Sequence, residues 1–401
     1  MTDEPTTRMR PSWDEWLISP SAIALFIAIA FITAFTLAVP QRDSLSYWTA
    51  GRLLLHRANP YAADTVEQLE SAVGYHGPRQ SLVMLNPPSA LPLALPYGIF
   101  GARFAGLFWS LSLLGCLIAS VRMVWAMHRR PKNRLHILGY CFGPAIACIF
   151  AGQIPLFALL GLTLFLRLHR TRPLSAGASL WLCAVKPHLF VPLGLVLIAW
   201  SVLNRRYRII AGAAIAFAVS NALVLLLDPG AWTQYRQMID AAGPLIAKEF
   251  IPCWSAVLRL AINPRALWLQ AVPEALGCVW ALGYFWKHRR EWDWMEHGAL
   301  LMLVSLLVAP YTWMIDQSVL IPAMLHGLYR TRSRAFAVIF ATASILILIQ
   351  ICLGAAVHSR WNLWPAPFWL VLYVWGTRTA RTIEERASPS PASEVITLAN
   401  S

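Results

Sequence analysis

Apolar runs of about twenty residues recur along this chain, separated by short loops rich in arginine and lysine. Roughly 20 apolar residues are what one helix needs to cross a bilayer. Lipid offers backbone N–H and C=O groups no partner, so runs of this kind fold as helices that satisfy their own hydrogen bonds. The chain is 58% hydrophobic and 13% charged, with 19 tryptophans. Soluble domains are nearer a quarter charged. These features predict an all-α, polytopic transmembrane helical protein.

A formal net charge of +14 would elsewhere suggest nucleic acid, but its distribution points to topology instead. The basic residues cluster in "HRRPKNRLH" (128–136), "RLHRTR" (167–172), "NRRYR" (204–208), "KHRR" (287–290) and "RTRSR" (330–334), each between apolar runs. Short Lys/Arg-rich loops mark the cytoplasmic side, so no nucleic-acid partner is needed to explain them. The cysteines (Cys116, Cys141, Cys148, Cys183, Cys253, Cys278, Cys352) fall almost entirely inside apolar runs, without CxxC or His/Cys spacing. They read as small buried hydrophobes rather than a disulfide framework or a zinc site. No glycine-rich nucleotide motif occurs, so neither a cofactor nor a metal is expected.

The polar start "MTDEPTTRMRPSWDEW" reads as a cytoplasmic tail, residues 1–18, ahead of an uncleaved first span at 19–39. An outer loop, 41–101, follows. Its segment "NPPSALPLALPYGIF" (86–100) is apolar but short and carries four prolines. If it crossed the membrane, the loop 128–136 with its four Arg/Lys would lie outside, against the basic-loop rule. It is therefore read as interfacial or re-entrant. Spans then follow at 102–127, 137–151, 153–168, 174–186, 188–203, 209–227, 266–286, 297–314, 316–329, 335–356 and 365–377. With the first, that makes about twelve, inside a transmembrane domain 19–377 with both termini cytoplasmic. A second outer loop is 228–265, and 378–401 reads as a disordered cytoplasmic tail. Several spans fall short of 20 residues, so they must tilt, bend or line a cavity.

This threading gathers the informative polar residues on the outer side. Asp43, next to Arg42 at the mouth of the first span, is either a helix N-cap or solvated charge, or a general base tuned by partial desolvation and by Arg42. Tyr47 is one helical turn away on the same face. Lys186 and His188, in "CAVKPHLFVP", join two short spans. Ionisable groups at that depth mark functional sites by default, and snorkelling is the alternative for the lysine. Pro187 between them breaks the helix in a way that suits a cavity lining. Gln153 ("FAGQIPLF"), Arg259 ("PCWSAVLRLAINP") and Asp316 ("APYTWMIDQSVLIP") complete the outer set, each with a bland reading as a turn residue, a solvated charge and an N-cap. Glu274 ("AVPEALGCVW") is intramembrane and pairs with Arg265 or faces another helix.

In order, "RDSLSYWTAGRLLLHRANPY", "NPPSALPLALPYGIFGARFAGLFW", "AGQIPLFALLGLTLF", "SAGASLWLCAVKPHLFVPLGLVLIAW" and "PYTWMIDQSVLIPA" resemble glycosyltransferase family 87 over most of 40–330. Asp43 and Tyr47 match a D-x-x-x-Y pattern in the first outer loop. Asn59-Pro60-Tyr61 matches G-x-N-P-Y, with Ala58 directly before Asn59 and no glycine at the expected place. The resemblance implies a GT-C type fold of about 12 spans with external juxtamembrane helices. It also implies a catalytic base at Asp43 and substrate binding by Tyr47, Gln153, Lys186 and Asp316, to which charge and position add Arg42, His188 and Arg259 as substrate-binding candidates. The activity implied is inverting transfer of a hexose, with mannose as the expected sugar. Its donor would be a polyprenyl-phosphate sugar and its acceptor a glycolipid or glycan, at the outer face of the cytoplasmic (inner) membrane. Membrane lipids are the other expected partners. A transporter or flippase, whose polar residues would line a permeation path, is the alternative from another class, although no internal repeat supports it. A non-catalytic polysaccharide-export subunit is the third.

A reporter fused within 128–136 is expected to be cytoplasmic and one within 235–250 external, since the basic clusters set orientation. An external reporter at 128–136 would make 87–100 a true span and reverse every later assignment.

Overall fold

The computed structural model describes residues 42–75, 81–353 and 358–387. The expected first span and both chain tails therefore lie largely or wholly outside the described residues. Within them every regular element is helical.

The described chain opens with α1 (Arg42–Leu55), followed by α2 (Ala63–Ala72) and, after a 3-10 turn at Pro88–Ala90, α3 (Leu91–Gly98). Eight residues of α-helix rise about 12 Å, far short of a hydrocarbon core of about 30 Å. Thus the proline-rich segment forms a turn and a short helix packed on α1. The packing is close because both sides lack a side chain. A Cβ on Gly51 would strike the Ala94 carbonyl, and one on Gly98 would strike the backbone of Gly51 and Arg52. Glu70 on α2 ties down the extended stretch after it, its Oε2 accepting the Leu82 N–H at 2.9 Å. Burial raises this carboxyl to about 7.

The helical body follows as α4 (Ala102–Met127), α5 (Ile137–Tyr140), α6 (Gly143–Ala151), α7 (Pro155–Leu168), α8 (Pro173–Ser179), α9 (Val191–Leu203) and α10 (Tyr207–Leu227). Beyond the second outer loop come α13 (Ala271–His288), α14 (His297–Val308), α15 (Ile321–Thr331), α16 (Arg334–Cys352) and α17 (Pro365–Ala387); the loop itself folds as α11 (Ala231–Lys248) and α12 (Trp254–Ile262). Among the described residues three helices, α4, α10 and α16, are long and apolar enough to cross a membrane. Most of the other expected spans within the described residues are shorter or broken, while 365–377 is part of the 23-residue α17. The 174–186 run is α8 plus a 3-10 turn, Leu180–Val185, and 316–329 is a 3-10 turn, Met314–Leu320, leading into α15. Prolines at the first turns of α6, α7, α8, α9 and α15 explain where the helices restart.

Small residues bring the helices together, as is usual where lipid removes the hydrophobic drive for association. Gly177 on α8 faces Gly212 on α10 so closely that a Cβ on Gly177 would overlap the Ile209 carbonyl, and one on Gly212 the Leu174 carbonyl. Four cysteines (Cys116, Cys148, Cys183, Cys253) are buried as expected, whereas Cys141 and Cys352 are exposed.

Helix ends carry an unusual residue. Every described non-glycine residue with positive φ is an arginine: Arg57, Arg129, Arg130, Arg134, Arg205 and Arg332, with φ from 49° to 60°. Three of these ends close by a bond five residues back: Ala58 to Leu53 at 2.9 Å, Arg130 to Trp125 at 3.0 Å, and Arg206 to Ser201 at 2.7 Å. This left-handed cap normally takes glycine.

Gly177→Ala should lower stability by about 1–3 kcal/mol through overpacking against backbone that has no room to move. Gly115→Ala on α4, where nothing lies within 4 Å of the new Cβ, should be neutral or stabilising by up to about 1 kcal/mol. Thermal unfolding in detergent compares the two.

Candidate active site

Asp43 lies in the first turn of α1, inside the helix rather than ahead of it, so the N-cap reading does not hold. A carboxylate there still favours the helix dipole. The side chain is half-buried, and Ser46 donates to the Asp43 carbonyl at 2.7 Å. One turn on, Tyr47 is buried. Its ring stacks on Trp109 of α4 with centroids 4.3 Å apart and 13° between planes, and its hydroxyl donates to Gln153 Oε1 at 3.3 Å.

The corner that holds Gln153 depends on Gly152. Its φ of +71° ends α6, letting the Gln153 N–H reach the Cys148 carbonyl at 3.0 Å, and Trp109 Nε1 donates to the Gly152 carbonyl at 2.8 Å. A Cβ on Gly152 would also come within 2.9 Å of the Ser44 Cβ. Glycine is thus required twice, for the left-handed turn and for the approach of α1.

Lys186 and Asp316 meet at the two broken spans. Lys186 Nζ donates to Asp316 Oδ1 at 2.7 Å, with the lysine side chain 10% and the aspartate side chain 0% exposed. The other carboxylate oxygen accepts the Trp313 N–H at 2.8 Å, closing the 3-10 turn that starts at Met314. Both oxygens of Asp316 are therefore engaged within the protein, and the residue braces Lys186 and its own turn. His188 stacks on Tyr311 at 3.8 Å, and its buried Nε2 has no partner among the described residues.

These parts share one neighbourhood. Tyr47 lies within electrostatic reach of Asp43, Cys148 and Asp316, and Cys148 within reach of Lys186 and Asp316. Arg259 does not join the pair. It is buried and donates to the Pro264 carbonyl, bracing its own loop, while α12 is held to the 309–310 corner by Ser255 donating to the Ala309 carbonyl at 2.8 Å. The side chain of Arg42 lies outside the described atoms. Glu274 makes no ion pair with Arg265; its buried Oε1 has no partner among the described residues, and it acts electrostatically on Tyr311.

The Asn-Pro-Tyr triplet and Asn86, to which sequence reasoning gave no role, complete the frame. Asn59 Oδ1 accepts the Tyr61 N–H at 2.8 Å, Tyr61 donates to the Asn86 carbonyl at 3.1 Å, and Asn86 Nδ2 donates to the Val185 carbonyl at 2.8 Å. The Asn-Pro-Tyr triplet is thereby coupled to the residue preceding Lys186. An asparagine ahead of two prolines in an apolar run was the available signal. A groove of about 590 Å³ lies along α11 beside Trp232, Tyr235 and Arg236, and Tyr235 contacts Tyr61 with ring centroids 5.4 Å apart.

Residues 85–310 match the sequence profile of glycosyltransferase family 87. That is more than half of the chain. The protein belongs to glycosyltransferase family 87. Family 87 enzymes are membrane glycosyltransferases, so the helical body carries out sugar transfer between a donor and an acceptor in the membrane. The match spans Asn86, Gln153, Lys186 and Arg259 and stops short of Asp316; Asp43 and Tyr47 precede it. No curated protein and no solved structure matches the chain.

Removing one partner of the buried pair leaves an uncompensated charge, which typically costs about 3–5 kcal/mol. Asp316→Leu and Lys186→Met should each destabilise strongly. The double variant should recover much of the loss in detergent unfolding yet remain inactive. If the double variant is no more stable than either single, the pair is not what holds the two broken spans together.

Proposed function

We propose that this family 87 enzyme transfers a hexose, with mannose the expected sugar, from a polyprenyl-phosphate donor to a glycolipid or glycan acceptor. The reaction would take place at the outer face of the cytoplasmic membrane, with inversion at the anomeric carbon. The observation that supports this reading is that Tyr47, bonded to Gln153, feels both the half-buried carboxylate of Asp43 and that of Asp316, the partner of Lys186. An anion for the acceptor proton and a cation for the departing phosphate are what such a transfer needs.

In the proposed step the acceptor oxygen forms a bond to the anomeric carbon while its proton passes to the Asp43 carboxylate. The bond from that carbon to the phosphate oxygen breaks on the opposite face, and its electron pair leaves with the polyprenyl phosphate. Phosphate is a good leaving group, so fixed positive charge suffices in place of a strong general acid. An ammonium has three donors, and Lys186 spends one on Asp316, which leaves N–H groups for phosphate oxygens. Arg42 and His188 are proposed to assist at the phosphate, and Tyr47 and Gln153 to position the sugar or acceptor. Arg259, committed to its own loop, is assigned a supporting place in the external segment that shapes the donor site. Positive charge building on the sugar ring is favoured by the nearby carboxylate. A transporter or flippase reading leaves the family match without an explanation.

Asp43→Asn keeps the size of the side chain but cannot take the proton, and general-base catalysis is worth about 10²–10⁴-fold. The variant should insert and fold as the wild type does and lose transfer by that factor. Transfer from a radiolabelled polyprenyl-phosphate sugar, in membranes with matched protein levels, is the measurement. Turnover near wild type would remove Asp43 from the chemistry.

A further inference from the structure

The far end of α4 carries a second polar cluster that sugar transfer does not use. Trp109 and His128 are 19 residues apart (128 − 109), roughly 28 Å along a helix at about 1.5 Å per residue, so this cluster is remote from Asp43 and Lys186. His128 follows the last residue of α4. Its ring lies 5.3 Å from that of His326 and 4.7 Å from that of Tyr329, both on α15. His326 is only 8% exposed, and neither of its ring nitrogens has a hydrogen-bond partner among the described residues. The same holds for His128 Nε2 and for Nδ1 of the adjacent His136. The Tyr329 hydroxyl lies beside the His136 main chain.

Buried imidazole nitrogens without partners forfeit hydrogen bonds that water would supply, and here both nitrogens of the buried His326 are joined by one from each of the half-buried His128 and His136. The surrounding charge selects the kind of ligand. Arg330 acts on His326, Arg122 and Arg134 act on His136, and Arg130 lies over Trp125, whose ring stacks on His136 at 4.7 Å. The nearby acids are each matched by an arginine, Glu296 by Arg330 at 3.2 Å and Asp293 by Arg170 at 2.8 Å. Such a balance repels a metal cation and favours an anion. At an interface rich in arginine, the abundant anion of matching chemistry is a phosphate.

We propose that His128 and His326, with the Tyr329 hydroxyl, form a phosphate-binding site at the basic end of the bundle, donating N–H and O–H groups to the phosphate of an anionic phospholipid or to free phosphate. The site is independent of the proposed transfer reaction. The full chain, purified in detergent, is titrated with dioctanoyl phosphatidylglycerol, with dioctanoyl phosphatidylcholine and with inorganic phosphate, followed by thermal unfolding and native mass spectrometry. Phosphatidylglycerol should stabilise the wild type and be retained where phosphatidylcholine is not. A matching response to inorganic phosphate identifies a free anion as sufficient, and a response to phosphatidylglycerol alone identifies the lipid headgroup. The double variant His128→Leu/His326→Phe should raise the half-saturating concentration at least ~10-fold, given what hydrogen bonds to a charged acceptor contribute. In phosphatidylcholine alone it should unfold no lower than the wild type, because it deletes polar groups that have no partner. No response of the wild type to either phosphate compound, or an undiminished response in the double variant, overturns the site. If the double variant fails to accumulate, His128→Gln is read instead, and half-saturation equal to wild type overturns it.

Discussion

A lysine and an aspartate 130 residues apart meet at 2.7 Å in a nearly water-free setting, and the architecture around them follows from what that meeting demands. A lone ammonium or carboxylate at this depth would be costly, so the two breaks in the helical body, one ahead of Pro187 and one at Trp313–Met314, must lie side by side. Broken helices are tolerated in a membrane only where the freed backbone finds partners. Here those partners are polar, one near in sequence and one far: Asp316 accepts the Trp313 N–H, and Asn86 Nδ2 donates to the Val185 carbonyl 99 residues away. The groups that repair the backbone thus lie at the same place as the ion pair.

Around this centre the chain approaches itself by omitting side chains. Gly152 admits Ser44 and the start of α1, Gly51 and Gly98 clasp α1 to α3, and Gly177 and Gly212 join α8 to α10. The first of these matters most for chemistry. It sets α1 against the Gln153 corner, so that Tyr47 bonds Gln153 and stacks on Trp109. Asp43 is then carried on a helix whose orientation is fixed from three sides, which is how a half-exposed carboxylate can be held without being buried.

Apolar runs and basic loops were enough to read an all-helical membrane body, and depth with proline and glycine neighbours drew attention to Gln153, Lys186 and Asp316, which the fold joins to Tyr47 and to one another in two bonded pairs. What could not be read was pairing. Nothing in "TWMIDQS" says that Lys186 will spend a donor on Asp316. The bond from Arg259 to the carbonyl of Pro264, five residues on, likewise depends on how that short loop folds back. Trp109 was invisible as a site residue, one tryptophan in a long apolar helix, until α4 crossed the Gly152 corner. The short spans were expected to tilt, bend or line a cavity, but the length of the apolar runs did not say where each would break. Hydrophobicity reports depth, whereas the prolines at helix starts decide where each run breaks.

The arginines in left-handed backbone at helix ends bind two demands to single positions. Glycine would adopt that conformation at less cost, since it lacks the steric penalty carried by other residues. Glycine, however, has no charge to complement the carbonyl end of a helix or to keep a loop on its side of the membrane. At Arg129, Arg130, Arg205 and Arg332 a charge and a left-handed backbone therefore sit on one residue. If the basic loops set orientation, exchanging any of these arginines for glycine would ease a turn and remove a topological charge in one step. A variant library screened for thermal stability alone would then gather changes that strip charge from those loops.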